Sequence, residues 1–416
     1  MQRILVLGAG FAGLWSAIGA ARRLDQLGIG PDRIEVTVGN RTAWHSIRVR
    51  NYEADLDQTR LPLDEILGPI GVHHVEGEVT DIDFSARRVA CSTRGGSQSL
   101  SYDRLVFALG SRLVRPPIPG LEAHALDVDT YESGARLNDH IAMLPYRQSS
   151  AGQYSAGQYN VLVVGGGLTG IEVATEMFGK IRAAIASAPA SDPEPSPRVI
   201  LADRQAWIGS DMGESARPVI AEALQALGIE TRLGVSVANI DEEGAALTTG
   251  ERIAASTVVW CAGMQAHPLT ARFPVERDRL GRLPVDSYLK VKGMAAEFAA
   301  GDAAWLPIDG THLSVMSCQH GRPMGRFAGH NVACDLLGQP MLPLSIDWYV
   351  TCLDLGPWGA VYTEGWDRRV AAKGAAAKRT KEIINRQRIY PPRSGDREEI
   401  LDAAAPVVQR PPSLLH

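Results

Sequence analysis

Apolar and polar positions repeat one pattern twice along this chain. Ile4-Leu5-Val6-Leu7 and Val161-Leu162-Val163-Val164 are apolar runs short enough to be parallel strands buried on both faces. Each meets a cluster of glycines and then a stretch with helical spacing, residues 14–27 in the first case. Apolar runs at residues 34–38 and 199–202 supply the next strand of each copy. Alternation over residues 77–83 and 87–92 predicts antiparallel strands, and residues 102–110 a strand ending in a tight glycine turn. Further strands are predicted at 257–262 and 298–300. The segment Arg115-Pro116-Pro117-Ile118-Pro119-Gly120 is stiff and helix-breaking, and reads as a crossing between domains.

The pattern predicts an α/β chain of two Rossmann-like three-layer domains, the second inserted in the first, plus a small C-terminal α+β region. The expected limits are 1–120 and 264–338 for the enclosing domain and 121–263 for the inserted one. Residues 339–390 would form the C-terminal region and 391–416 a Pro-rich tail. A short tandem repeat, 150–154 and 155–159, reads as a lengthened loop. Residues 187–197, rich in Ala, Ser and Pro, read as an insert ahead of the following strand.

The 416 residues are 45% apolar, enough for two full domains and a smaller third. A net charge of −5 argues against nucleic acid as a partner. The first strand begins at Ile4 and no apolar run nears the roughly 20 residues of a membrane span, so the expected location is cytoplasmic. Five cysteines show no CxxC spacing, and reduced, buried thiols are the expectation. No metal is expected, because Cys318, His320, His330 and Cys334 match no common zinc spacing. Residues 366–393 carry a net +7, read either as a solvated basic helix face or as an attraction to an anionic membrane surface.

The chemistry lies where strand meets helix. Gly8-Ala9-Gly10-Phe11-Ala12-Gly13 and Gly165-Gly166-Gly167-Leu168-Thr169-Gly170 are both GxGxxG in a strand–helix context. The first glycine allows a tight turn, the second lets backbone approach a pyrophosphate, and the third lets helix and strand pack closely. The helix N-terminus offers free N–H groups to phosphate oxygens. Two such loops imply two dinucleotides, and the usual pair is a nicotinamide that donates hydride and a flavin that accepts it. An acid ending the second strand bonds ribose hydroxyls. Asp203 stands there in the second unit and favours NADH over NADPH, with Arg204 beside it. The first unit ends Val38-Gly39-Asn40-Arg41 with no acid, leaving Asn40 to reach a ribose hydroxyl.

The segments VLGAGFAGL, YDRLVFALGS, VVGGGLTGIEVATEM, VVWCAGMQAHPL, EFAAGDAAW and CQHGRPMGRFAGHN, in this order, resemble flavoproteins of the pyridine nucleotide-disulfide oxidoreductase superfamily, most of all the FAD-containing type II NADH dehydrogenases. The resemblance implies FAD on the first loop, with Ala108 and Gly110 beside it, Val79 touching adenine, and Gly301-Asp302 holding the ribityl chain. It implies NADH on the second loop, with Gly263 beside it. Glu172 matches a glutamate near the nicotinamide; read from the chain alone it is equally a dipole-stabilising acid near a helix start. The helix opening near Gln319-His320-Gly321 matches the element aimed at the flavin.

Relatives of this type place two glutamines at a quinone site; Gln319 matches one and Val315 stands in place of the other. His320 either replaces the lost hydrogen bond or is structural. The resemblance implies a ping-pong NADH:quinone-type oxidoreductase, peripheral on the inner face of a membrane through the basic C-terminal helix. Two alternatives stay open: a soluble oxidoreductase acting on a particular metabolite, and a flavin redox sensor that binds partners. Trp348, Tyr349, Trp358, Tyr362 and Trp366 form a small core, an interfacial belt or an oligomer contact such as a homodimer. Lys373, Lys378 and Lys381 are candidates for a lysine that some relatives bring to the flavin, and His45, Arg48 and Arg50 for an acceptor pocket or surface. The cysteine pairs of disulfide and sulfide:quinone reductases are missing.

Overall fold

The structure is a computed structural model that describes residues 1–147, 157–188 and 196–412. The first copy of the 150–159 repeat and residues 189–195 of the Pro-rich insert lie outside the described residues.

Two five-stranded parallel sheets share one layout around a central strand, but one outermost strand comes last in chain order in the first sheet and first in the second. In the first, Gln2–Leu7 lies at the centre, with Ile34–Asn40 and His73–Glu76 on one side and Arg104–Phe107 and Glu297–Ala299 on the other. In the second, Asn160–Val164 is central, flanked by Arg198–Asp203 and Glu230–Leu233 and by Thr257–Trp260 and Ala125–Leu126. The central strands carry buried residues in succession, Ile4 to Leu7 and Val161 to Val164, which is why their sequence does not alternate. Chain order reverses beside each central strand, so the carboxyl ends of both strands open onto a switch point, the place where α/β sheets bind ligands. Each unit also carries a three-stranded antiparallel meander, Glu78–Asp83, Arg88–Thr93 and Gly96–Ser101 in one and Val237–Asp241, Gly244–Leu247 and Arg252–Ala254 in the other.

The first fingerprint helix spans Phe11–Gln26, three residues earlier than hydrophobic spacing alone predicts, because Gly10 is its N-cap and Ala12-Gly13 carry no periodic signal. It packs on the long helix Cys318–Leu336 at backbone distance. A Cβ on Gly325 would stand 2.3 Å from the Ala12 carbonyl oxygen, and one on Gly329 would stand 2.1 Å from that of Ser16. The close crossing fixes the start of the long helix beside the first glycine loop.

The C-terminal region is an antiparallel sheet of Val350–Asp354, Ala360–Glu364 and Arg369–Lys373 followed by the helix Gly374–Ile383. The basic stretch is therefore a strand and a short helix, not one helix, and two of its lysines pair inward, Lys378 with Asp354 and Lys381 with Glu172, while Lys373 pairs with Glu222 at the surface. The aromatic residues also face the protein. Tyr349 stacks on Trp366 at 4.3 Å, and His312 stacks on Trp366 at 4.3 Å. The Pro-rich tail contains a helix, Arg397–Ala403, whose Ile400 and Leu401 enter the core of the first sheet. Burying two such side chains contributes roughly 1.5–3 kcal/mol each, enough to hold a short helix in place.

Candidate active site

The two glycine loops are built alike. Gly8 takes φ +92° and donates its N–H to the Gly39 carbonyl at 2.7 Å; Gly165 takes φ +114° and donates to that of Ala202 at 2.8 Å. A side chain on either would meet backbone: 2.5 Å from Ala108 O in the first case and 2.9 Å from Ala262 N in the second. Gly13 and Gly170 are closer still, with a Cβ on each falling 1.9 and 1.7 Å from the carbonyl oxygens of Gly8 and Gly165. Gly10 differs: a Cβ there would meet nothing within 4 Å, so its outer side is open to a ligand. Gly10 and Gly167 cap their helices without any side-chain hydrogen bond, and neither first turn holds an acid. These N–H groups suit a pyrophosphate. At Gly167 the Asp211 carboxylate lies 3.3 Å from the Cβ position, so less room remains there than at Gly10.

The ends of the second strands also correspond. Asn40 Oδ1 accepts from the Ala9 N–H at 3.0 Å, while its Nδ2 donates to the Thr42 carbonyl at 2.7 Å. Asp203 Oδ2 accepts from the Gly166 N–H, and its Oδ1 from Gln205 N–H at 2.6 Å. Both residues fasten their glycine loop. Asn40, expected to reach a ribose, is thus engaged at both ends of its amide; Arg41 beside it is exposed. Val79 is buried in the adjoining meander opposite Cys91.

Further groups converge where the two halves meet. The strands Ser111–Leu113 and Met264–Ala266 pair antiparallel and join the halves just past Gly110 and Gly263. Ser111 Oγ donates to Asp302 Oδ2 at 2.6 Å, and Arg48 donates to Ser111 Oγ at 2.9 Å and to Asp129. Arg48 Nη1 lies 3.9 Å from Asp302. Gly301 abuts the first loop, where a Cβ on it would stand 2.7 Å from that of Ala12. Sequence reasoning had not singled out Ser111 or Asp129, since only tertiary contact ties them to Asp302. Arg48 was in view, but its fellows are structural: His45, fully buried, has Nδ1 2.7 Å from the Ala9 carbonyl, and Arg50 is held by Glu53 and Tyr390.

The helix Cys318–Leu336 is capped by Ser317, which accepts from the His320 N–H at 3.3 Å. His320 is fully buried, its Nδ1 accepts from the Val315 N–H at 2.9 Å, and its ring faces Tyr349 and Trp366. Burial holds it down to about 4. It is therefore a packing residue and not a substitute for the missing glutamine. Gln319 instead lines a cavity of about 90 Å³, with Nε2 buried and unpartnered.

Glu172 lies one turn into the second fingerprint helix, Leu168–Ala186, and is buried under the C-terminal sheet. Its Oε1 accepts from Lys381 Nζ at 2.7 Å and from Asp354 N–H at 3.1 Å. Burial pushes the Glu172 carboxyl upward against the pull of Lys381, and acts to lower the Lys381 ammonium, which the Glu172 carboxylate and its neighbours outweigh and move upward. Two donors on one oxygen argue for an ionised pair. Of the three candidate lysines, Lys381 is the one that reaches the fingerprint helix. Among the described residues no His, Cys, Asp and Glu side chains converge as a metal site, and no helix is long and apolar enough to cross a membrane.

The model of the pyridine nucleotide-disulphide oxidoreductase family matches residues 2–325. The chain belongs to that family. This pyridine nucleotide-disulphide oxidoreductase is 55% identical over 412 residues to an NADH dehydrogenase-like protein of Mycobacterium tuberculosis (strain ATCC 25618 / H37Rv), covering 99% of this chain and 100% of the relative. It is 24% identical over 357 residues to the type II NADH:quinone oxidoreductase of Staphylococcus saprophyticus, covering 82% and 84%. Its fold matches that of NDH2 from Plasmodium falciparum, solved in complex with NADH, with a TM-score of 0.76 at 12% identity over 97% of both chains. Like its family, the protein is an oxidoreductase enzyme with Rossmann-like parallel sheets.

Proposed function

We propose that the protein is an NADH:quinone-type oxidoreductase that works by a ping-pong sequence, NAD leaving before the quinone is reduced. The enzyme's cofactors are FAD and NADH. The observation that carries the reading is the pair of like glycine loops, one at the switch point of each sheet, with the halves joined between them by Ser111–Leu113 and Met264–Ala266. FAD, when bound, supplies the chemistry that takes hydride from NADH and passes two electrons to the acceptor.

In this reading the first loop, through Gly8, Gly10, Phe11, Ala12 and Gly13, holds the FAD pyrophosphate. Arg41 and Val79 flank the adenosine, while Ala108, Gly110, Gly301 and Asp302 hold the remainder. Asp302 accepts a hydroxyl hydrogen bond, and Ser111 and Arg48 hold its carboxylate in orientation. Gly165, Gly167, Leu168, Thr169, Gly170, Asp203 and Gly263 hold NADH. The first turn of Cys318–Leu336, with no acid in it, favours negative charge gained at the flavin. Glu172 acts through Lys381 as a positioning group beneath the nicotinamide site. The likeness to a type II NADH:quinone oxidoreductase supports a quinone as acceptor.

Anaerobic mixing of the purified yellow protein with NADH tests this. Rapid bleaching of the flavin absorbance and rapid recovery on adding menadione are expected. Bleaching without recovery would leave an acceptor of another class, and failure to bleach would overturn the assignment of the second loop.

A further inference from the structure

We propose that the electron acceptor is an aromatic acid: a quinone-type ring whose attached carboxylate is bound by Arg322, Arg326 and Arg388. This deepens, and rests on, the quinone reading. The three guanidinium groups line the cavity that also holds the Gln319 amide. Among the described residues no carboxylate lies within ion-pair distance of any of them, although the protein pairs most of its buried or half-buried cations elsewhere, as at Lys381, Arg104 and Arg282. Arg326 is 2% exposed. The Nε atoms of Arg322 and Arg326 and Nε2 of Gln319 are buried without a hydrogen-bond partner.

Such an arrangement is costly to hold empty. Buried charges are normally neutralised by a partner, and unmatched donors lose their water without replacement. Both cations stack over the Trp15 ring, Arg326 at 4.3 Å and Arg322 at 5.4 Å, which offsets part of the desolvation without cancelling the charge. Burial and mutual repulsion pull Arg322 down to about 10 and Arg326 to about 9. Three planar donors around one small space match a carboxylate, which accepts several N–H groups at once. The remaining walls, Trp348, Ile384, Ile389 and Pro411, are apolar and suit a flat ring. Over the cavity lies the segment Gln409–Pro412, tied by Arg322 to Gln409 Oε1 at 3.2 Å and by Arg388 to the Arg410 carbonyl. These are neutral acceptors and leave the positive charge uncancelled.

The reaction balances without further reagents. NADH gives up a hydride and becomes NAD; the two electrons and the proton it carried, with one solvent proton, reduce the quinone so that each ring oxygen gains an O–H bond, giving the hydroquinone, and the carboxylate is unchanged.

The test uses the full-length flavin-loaded enzyme and a redox-inert pair, 1-hydroxy-2-naphthoate and 1-naphthol, titrated calorimetrically. The acid is expected to bind at least about tenfold more tightly, the scale of one charge-assisted interaction. Arg388→Gln and, separately, Arg322→Gln should bring the ratio of the two affinities toward one, and Arg388→Lys should restore part of it. In steady-state turnover, the ratio of kcat/KM for 1,4-naphthoquinone-2-carboxylate over menadione should fall in the same variants. Equal binding of acid and alcohol by the unaltered enzyme would overturn the proposal, as would an unchanged ratio in both glutamine variants. The two readings separate: menadione turnover without acid preference sinks this inference alone, whereas selective naphthoate binding without reduction of either quinone sinks the quinone reading and leaves the anion site standing.

Discussion

Asp203 and Asn40 do the same mechanical job with different charge. Each accepts a backbone N–H from its glycine loop, so the ribose-binding role proposed for Asp203 would be mixed with a fastening role. The two separate by substitution. Asp203→Asn retains an acceptor for the Gly166 N–H, as Asn40 does for Ala9, and is expected to raise KM for NADH a few-fold. Asp203→Ala loses both functions and should raise it by about tenfold or more, the scale of a lost charged hydrogen bond. Identical KM values for the two variants would show that the fastening bond is irrelevant. The glycines were legible because their roles depend on backbone shape within a few residues, whereas the bond from the Gly166 N–H to Asp203 spans 37 residues and was not. The role of Asn40 was not, since its partner lies 31 residues away and nothing local marks a side chain that bonds across strands. His320 was ambiguous for the same reason: its partner is the Val315 N–H and its surroundings are aromatic rings from the C-terminal region.

At the scale of elements, strands buried on both faces and helices following glycine turns were readable, because burial on two sides leaves an unbroken apolar run. The basic stretch was not, since charge alone does not distinguish lysines that face water from lysines that reach inward. Lys381 crosses from the helix Gly374–Ile383 to the fingerprint helix and neutralises Glu172, tying the C-terminal region to the second sheet's helix. Lys381→Met leaves a buried carboxylate alone and is expected to cost about 3–5 kcal/mol of stability. Adding Glu172→Gln removes the stranded charge and should recover most of that loss. Urea unfolding midpoints of the two singles and the double provide the comparison; a Lys381→Met protein within about 1 kcal/mol of the unaltered one would mean the pair is not buried as described.

Across the whole molecule, four buried histidines, His45, His267, His320 and His330, are each held down to about 4, chiefly by burial. Unfolding restores them to an ordinary value near 6.5. Between these limits the unfolded chain binds more protons than the folded one, so the stabilisation from keeping these rings neutral is complete above about pH 6.5 and declines as pH falls toward 4. The thermal midpoint should therefore drop steadily from pH 7 to 4.5, with several protons taken up per unfolding event. A flat profile over that range would show that the rings are not sealed from water. The repetition of the strand–glycine loop–helix unit at the centre of each sheet was visible from two fingerprints, but the return of the tail to the first core was hidden, because the apolar positions in Arg397–Ala403 are too few to form a pattern.

That return has a consequence for how the protein is made. One core packed on the inserted sheet is drawn entirely from residues 121–260, so it closes while the remainder is still being synthesised. The core of the enclosing sheet needs both Ile4 and Leu401, and cannot be finished until nearly all of the described polypeptide has left the ribosome. The opening strand must wait, through most of translation, for its last partner to emerge.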